Sequence, residues 1–168
     1  ANLGNLDARL GEVTAAEGEF ARAIRLQPQF VPAYMQLAEL YRTAGREMQA
    51  DSVLRIGLDR IPGNVDLQYQ LGLALIRQGK KADALALLKA AAASGNSHYA
   101  YVYGVALFDG GQAELAVTTL RKALAAAPDD RELLYGLASI AAGAGQRDLA
   151  LGAARRLAAL DPGDPEVQ

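Results

Sequence analysis

His98 is the one histidine of the chain, with Ser97 beside it and Asp109 eleven residues on. These are the residue types of a serine-nucleophile relay, in which imidazole takes the hydroxyl proton and a carboxylate orients the ring. Separations of one and eleven residues do not form such a triad, so His98 reads as a helix-cap or groove residue. Gly79-Lys80-Lys81 has the ending of a phosphate loop, but Ala74 stands where the loop needs glycine, and Lys81 replaces the hydroxyl ligand of the metal. That segment reads as a helix end followed by a basic first turn. Gly110-Gly111 reads as a hairpin turn. Cysteine is absent, which excludes a thiolate nucleophile, a disulfide, a zinc–thiolate site and haem attachment. One histidine with scattered carboxylates is poor material for a metal centre. No catalytic residue, metal or cofactor is expected, and the chain reads as a non-enzyme.

Elements must position whatever these residues do. The chain has 168 residues, 51% of them hydrophobic, and a net charge of −2 from 17 basic and 19 acidic side chains. That composition belongs to a folded domain with a sizeable core. The charges are interspersed, with no basic run or acidic tail, so neither nucleic acid nor an anionic membrane is indicated. Apolar stretches are too short to insert into a bilayer, and no signal peptide is visible. The 35 alanines and the excess of Arg (13) over Lys (4) point to a GC-rich bacterial gene. Between bacterial cytoplasm and periplasm the sequence does not choose.

Periodicity is the main signal. Gly11, Gly45, Gly79, Gly111 and Gly145 are spaced 34, 34, 32 and 34 residues apart. Pro28, Pro62, Pro128 and Pro162 each follow one of these glycines by 17 residues, and Asn96 takes the same place in the third unit. A Leu/Tyr–small pair precedes each glycine: Leu3-Gly4, Leu37-Ala38, Leu71-Gly72, Tyr103-Gly104 and Leu137-Ala138. An alanine follows each by five: Ala16, Ala50, Ala84, Ala116 and Ala150. Helical spacing of apolar residues, as at Leu67, Leu71, Ala74 and Leu75, makes each half-unit a helix. The turn glycine supplies the left-handed residue that ends it.

This pattern resembles the tetratricopeptide repeat, best in the second unit, where Tyr34, Leu37, Ala38, Tyr41, Ala50, Leu54 and Pro62 match the signature. The signature tryptophan is missing throughout; Tyr34 replaces it once. The resemblance implies an all-α, right-handed α-solenoid of about five antiparallel helical hairpins. It covers residues 1–168 as a single solenoid with units 1–30, 31–64, 65–96, 97–130 and 131–164. First helices are expected near 1–10, 31–44, 65–78, 97–110 and 131–144. Second helices are expected near 13–27, 47–60, 81–94, 113–127 and 147–160. Residues 165–168 read as the start of a further helix, and the whole as a segment of a longer protein. Asp129-Asp130 and Asp164-Pro165 carry helix-start signals.

The resemblance also implies that the first helices line a concave groove through positions 2, 5, 9, 12 and 13 of each unit. A peptide site then comprises Met35, Glu39 and Arg42, followed by Tyr69, Leu73, Ile76 and Arg77, then Tyr101, Val105 and Phe108, and finally Tyr135. Tyrosine suits such a face because it offers a broad apolar surface and a polar tip at low entropic cost. The same tyrosines could instead fill the space between neighbouring first helices. Arg42 and Arg77 would steer acidic residues of a guest. Position 2 adds Asp66, His98 and Glu132. Some members clamp a chaperone's terminal carboxylate with a Lys–Asn–Asn–Lys–Arg set; Met35, Glu39, Gln70, His98 and Val102 stand there instead, so that ligand is rejected.

The primary expectation is a scaffold that holds a protein or peptide partner. Two alternatives remain. The stretch Tyr99-Ala100-Tyr101-Val102-Tyr103-Gly104-Val105-Ala106-Leu107 is similar to repeats that accompany multihaem c-type cytochrome domains, which implies an accessory module of a larger bacterial enzyme or redox protein. Uncovered solenoid ends would instead permit a homodimer.

Overall fold

The protein is described by a computed structural model over residues 2–160, with side chains from Val13 onward. Nine helices occur among the described residues, and no strand. They are α1 (Asn2–Leu26), α2 (Val31–Thr43), α3 (Glu47–Arg60), α4 (Val65–Arg77), α5 (Lys81–Ala92), α6 (Ser97–Asp109), α7 (Ala113–Ala126), α8 (Arg131–Gly143) and α9 (Arg147–Leu160). From α2 onward each helix lies within two residues of its expected span. The further helix expected at 165–168, and the start signal at Asp164-Pro165, lie outside the described residues.

The turn glycines do what their spacing predicts. Gly45, Gly79, Gly111 and Gly145 take φ of 72°, 74°, 78° and 74°, the left-handed region that a side chain disfavours. The amide after each reaches back to a carbonyl five residues earlier: Arg46 to Tyr41 at 2.7 Å, Lys80 to Leu75 at 2.9 Å, Gln112 to Leu107 at 2.9 Å, Gln146 to Ala141 at 2.8 Å. That closure occupies carbonyls the helix end would otherwise leave open. The starts of α4, α6 and α8 are capped by side chains: Asn64 Oδ1 accepts from Leu67 N at 3.0 Å, Asn96 Oδ1 from Tyr99 N at 3.2 Å, Asp130 Oδ1 from Leu133 N at 3.0 Å.

The first hairpin differs from expectation. In place of helices at 1–10 and 13–27, α1 runs unbroken through Gly11. A glycine inside a helix costs only about 1 kcal/mol. Breaking there would require the helix on each side to recover the turn's ordering entropy by packing.

The helices gather into two compact units, residues 1–74 and residues 75–168. In residues 1–74, α2 packs on α1 and on α3. Its buried stripe is Ala33, Tyr34, Leu37, Ala38 and Tyr41. Tyr34, fully buried, donates from its hydroxyl to the Pro28 carbonyl at 2.7 Å. A Cβ on Gly57 of α3 would meet the Tyr34 ring at 3.1 Å and Leu67 at 3.0 Å, so the absent side chain sets that approach. In residues 75–168, α6 packs on α5, α7 and α8, while α8 packs on α7 and α9. Leu88, Leu107, Leu120, Leu133 and Leu134 are fully buried there. Each contributes about 1.5–3 kcal/mol by burial.

Candidate functional site

None of the eleven expected groove residues is buried in the core. On α2, Met35 and Arg42 are half-buried and Glu39 is exposed. Arg42 Nε donates to Glu39 Oε2 at 2.7 Å, and a second guanidinium nitrogen donates to Glu39 Oε1. This bidentate pair raises the Arg42 pKa, through the hydrogen bond first and charge second. The two groove charges of this helix thus satisfy each other, which removes Arg42 as a free steering cation. On α4, Tyr69, Leu73 and Ile76 are half-buried, and Arg77 is exposed.

The α6/α8 pair is built differently. Tyr101, Val105 and Phe108 are half-buried on α6, and Tyr135 on α8 is 58% exposed. Tyr101 lies on a gap in α8: a Cβ at Gly136 would stand 2.7 Å from its Cδ2 and 2.8 Å from its Cε2. Phe108 repeats the arrangement one helical stretch later, with a Gly143 Cβ falling 2.5 Å from its Cζ. Glycine on the second first-helix is therefore what seats each ring from the one before. Packing and exposure coexist at Tyr101, whose ring has one side on α8 and part of its surface open.

Above these rings, His98 Nδ1 lies 2.9 Å from both carboxylate oxygens of Glu132. The contact joins the opening turns of α6 and α8 and leaves both side chains partly exposed. Burial, and then the Glu132 carboxylate and Tyr135, push the Tyr101 phenol above its ordinary value. It is a neutral hydrogen-bond donor at physiological pH. The arrangement offers an apolar floor, phenolic donors and a hydrogen-bonded His98–Glu132 pair. Nothing in it pairs a nucleophile with a base. The chemistry suggested by residue types dissolves here: Ser97 and Asp109 sit at opposite ends of α6, and Lys81 Nζ donates to the Asp109 carbonyl at 3.1 Å.

Sequence reasoning missed several contributors. Gly136 and Gly143 stand 35 residues after Tyr101 and Phe108, and Glu132 stands 34 after His98. A comparison of side-chain sizes one repeat apart would have shown the ring-and-gap pairs. A second omission lies in residues 1–74. Glu17 Oε1 accepts from the Tyr41 hydroxyl at 2.6 Å, Glu17 Oε2 accepts from Arg46 Nη1 at 2.8 Å, and the Arg46 guanidinium sits 4.3 Å from the Tyr41 ring centre. Arg46 first, and Tyr41 second, hold the Glu17 carboxyl below its ordinary value. This network ties α1 to the turn between α2 and α3. A shallow hollow of about 540 Å³ lies over Gln27–Phe30, away from the expected residues. No group of three or more His, Asp or Glu side chains among the described residues could hold a metal ion, and no described helix is long and apolar enough to cross a membrane.

The tetratricopeptide repeat profile matches residues 2–64, 37–99, 69–130 and 101–165, overlapping windows that span nearly the whole chain. The chain belongs to the tetratricopeptide repeat family. Solved structures agree in fold. The crystal structure of MamA has a TM-score of 0.72 at 19% identity, covering 94% of this chain and 93% of its own. That of YrrB, described as a TPR protein with an unusual peptide-binding site, has 0.72 at 21%, covering 99% and 86%. That of PilW, a type IV pilus biogenesis factor, has 0.70 at 22%, covering 90% and 71%. No curated protein matches in sequence. The tetratricopeptide fold is in general a non-catalytic scaffold for protein–protein interaction, which supports a protein or peptide as the class of partner.

Proposed function

We propose that this tetratricopeptide chain holds a segment of a partner protein against the α6/α8 face, with Tyr101, Val105, Phe108 and Tyr135 as its contacts. The observation that carries the reading is the partial exposure of those four side chains. Ring seating on Gly136 and Gly143 fixes Tyr101 and Phe108 before any guest arrives, which lowers the ordering cost of binding. Met35 on α2, and Tyr69 and Leu73 on α4, present the same kind of half-buried surface in residues 1–74 and would offer contacts of their own. The polar rim at His98–Glu132 would fix the register of the guest. The peptide-binding description of YrrB supports the class of ligand and not its sequence.

The test is selection of peptides from a random display library on the immobilised chain. Selected peptides are then titrated against Tyr135→Ala and Val105→Arg variants, whose side chains are not part of the buried core. Affinity is expected to fall about tenfold or more, as for truncation of an interface anchor. Unchanged affinity in both variants, with helical content preserved, rejects the α6/α8 face as the site.

A further inference from the structure

The second helices of residues 75–168 divide their charge along their length. Helices α5, α7 and α9 each pack on α6, α8 or both, and so flank that pair. Their opening turns carry acids: Asp83 on α5 near Lys81, Glu114 on α7, and Asp148 on α9 beside Arg147. Beyond those turns only cations occur: Lys89 on α5, Arg121 and Lys122 on α7, Arg155 and Arg156 on α9. All five are exposed. Lys89, Arg121 and Arg155 each stand ten residues after their turn glycine, so the repeat delivers one cation per helix at the same level.

Ordinary uses of surface charge do not account for this row. Among the described residues Lys89, Arg121, Lys122 and Arg155 make no ion pair. Arg156 donates to the Pro128 carbonyl. Compensation of the helix dipole calls for cations in the last turn; Lys89 meets that use on α5, but α7 and α9 carry none there. Four residues before Arg121 and Arg155 stand Val117 and Leu151, so no carboxylate pairs along the helix. Of the neighbouring loop acids, Asp130 is engaged in capping Leu133, and Asp129 is exposed without an ion pair. Helix α3 in residues 1–74 is unlike this: past its first turn it alternates Asp51, Arg55, Asp59 and Arg60.

We propose that the row on α5, α7 and α9 is a second interaction surface, which takes an extended acidic segment of a partner protein. Arginine's planar fork matches a carboxylate in two hydrogen bonds, and alanines beside the cations, such as Ala90 and Ala125, let a peptide backbone come close. One cation per helix suits a linear ligand that meets one carboxylate per repeat. A lipid surface is the weaker match, because these helices carry no aromatic side chain, and their exposed leucines, Leu115, Leu151 and Leu160, form no continuous stripe.

The experiment uses the full chain and a fluorescein-labelled oligoglutamate peptide, read by anisotropy across a salt series. A parallel arm uses vesicles of phosphatidylserine in phosphatidylcholine. Binding of the peptide that weakens with salt is expected, reduced about tenfold in a Lys89→Gln/Arg121→Gln/Lys122→Gln/Arg155→Gln variant. An Arg55→Gln/Arg60→Gln variant on α3 is expected to bind as the parent does. Absence of peptide binding overturns the proposal. So does equal loss in the α3 variant, and so does binding to vesicles without binding to peptide. Circular dichroism on each variant confirms that the helices persist. Because none of these residues lies on the α6/α8 face, failure here leaves the peptide-face reading standing, and the reverse.

Discussion

Helix α2 and the α6/α8 pair use one repeat register for different surfaces. On α2 the exposed positions carry Glu39 and Arg42, which close on each other. On α6 and α8 the corresponding positions carry Tyr101, Val105, Phe108 and Tyr135, with glycines across from two of them. Beneath those surfaces the same large–small pair is buried in both, as Leu37-Ala38 on α2 and Tyr103-Gly104 on α6 show. Core positions are held by packing, which tolerates few shapes, while the outward positions are free to vary. Within one repeat family, chemistry therefore resides in the positions that the fold does not need.

The largest expected effect attacks the fold half of that comparison. Gly104→Ala would place a Cβ 2.9 Å from Leu120, a fully buried side chain with nowhere to go. A loss of about 1–3 kcal/mol is expected in urea unfolding. Little or no loss would mean that the α6/α7 approach is looser than the geometry states.

Gly136→Ala tests the seating of Tyr101. The added methyl forces the part-exposed Tyr101 ring off its seat toward solvent, so the cost is smaller than in the core, about 1 kcal/mol. In a Tyr101→Ala background the same substitution is expected to cost much less. Equal costs in both backgrounds would break the ring-and-gap account.

Acid sharpens the contrast from the side of residues 1–74. Glu17 is held below its ordinary value of 4.5 by Arg46 and Tyr41. A carboxyl depressed in the folded state contributes stability that is present above 4.5 and lost as pH falls through the lower folded value. The parent chain is expected to lose more stability than Glu17→Gln across that acidic interval, followed by thermal unfolding. Parallel pH profiles would show that the network is not formed. The smallest effect belongs to Arg42→Ala, whose exposed pair is screened by solvent and is expected to leave the unfolding midpoint unchanged.

Much of this architecture is visible in the residues themselves. Four turn glycines with positive φ, the cap at Asp130 and, from α2 onward, helix ends within two residues all follow from spacing and local backbone preference. Local rules act over a few residues, and the sequence displays them directly. Gly11 shows their limit. Its spacing marks a turn, but a turn forms only where the helix on each side gains by packing, and α1 continues instead. The site was half visible. Which positions are outward came from the repeat register, but whether Tyr101 packs or stands free depended on Gly136, a residue 35 positions away. The Glu17–Tyr41–Arg46 network was invisible for the same reason, since three side chains from α1, α2 and the following turn meet only after folding.

The most direct test of the peptide-face account is a chemical-shift map of the isotopically labelled chain with a display-selected peptide. Shifts centred on Tyr101, Val105, Phe108 and Tyr135 are the predicted result. Shifts confined to α5, α7 and α9, with α6 and α8 undisturbed, would contradict it.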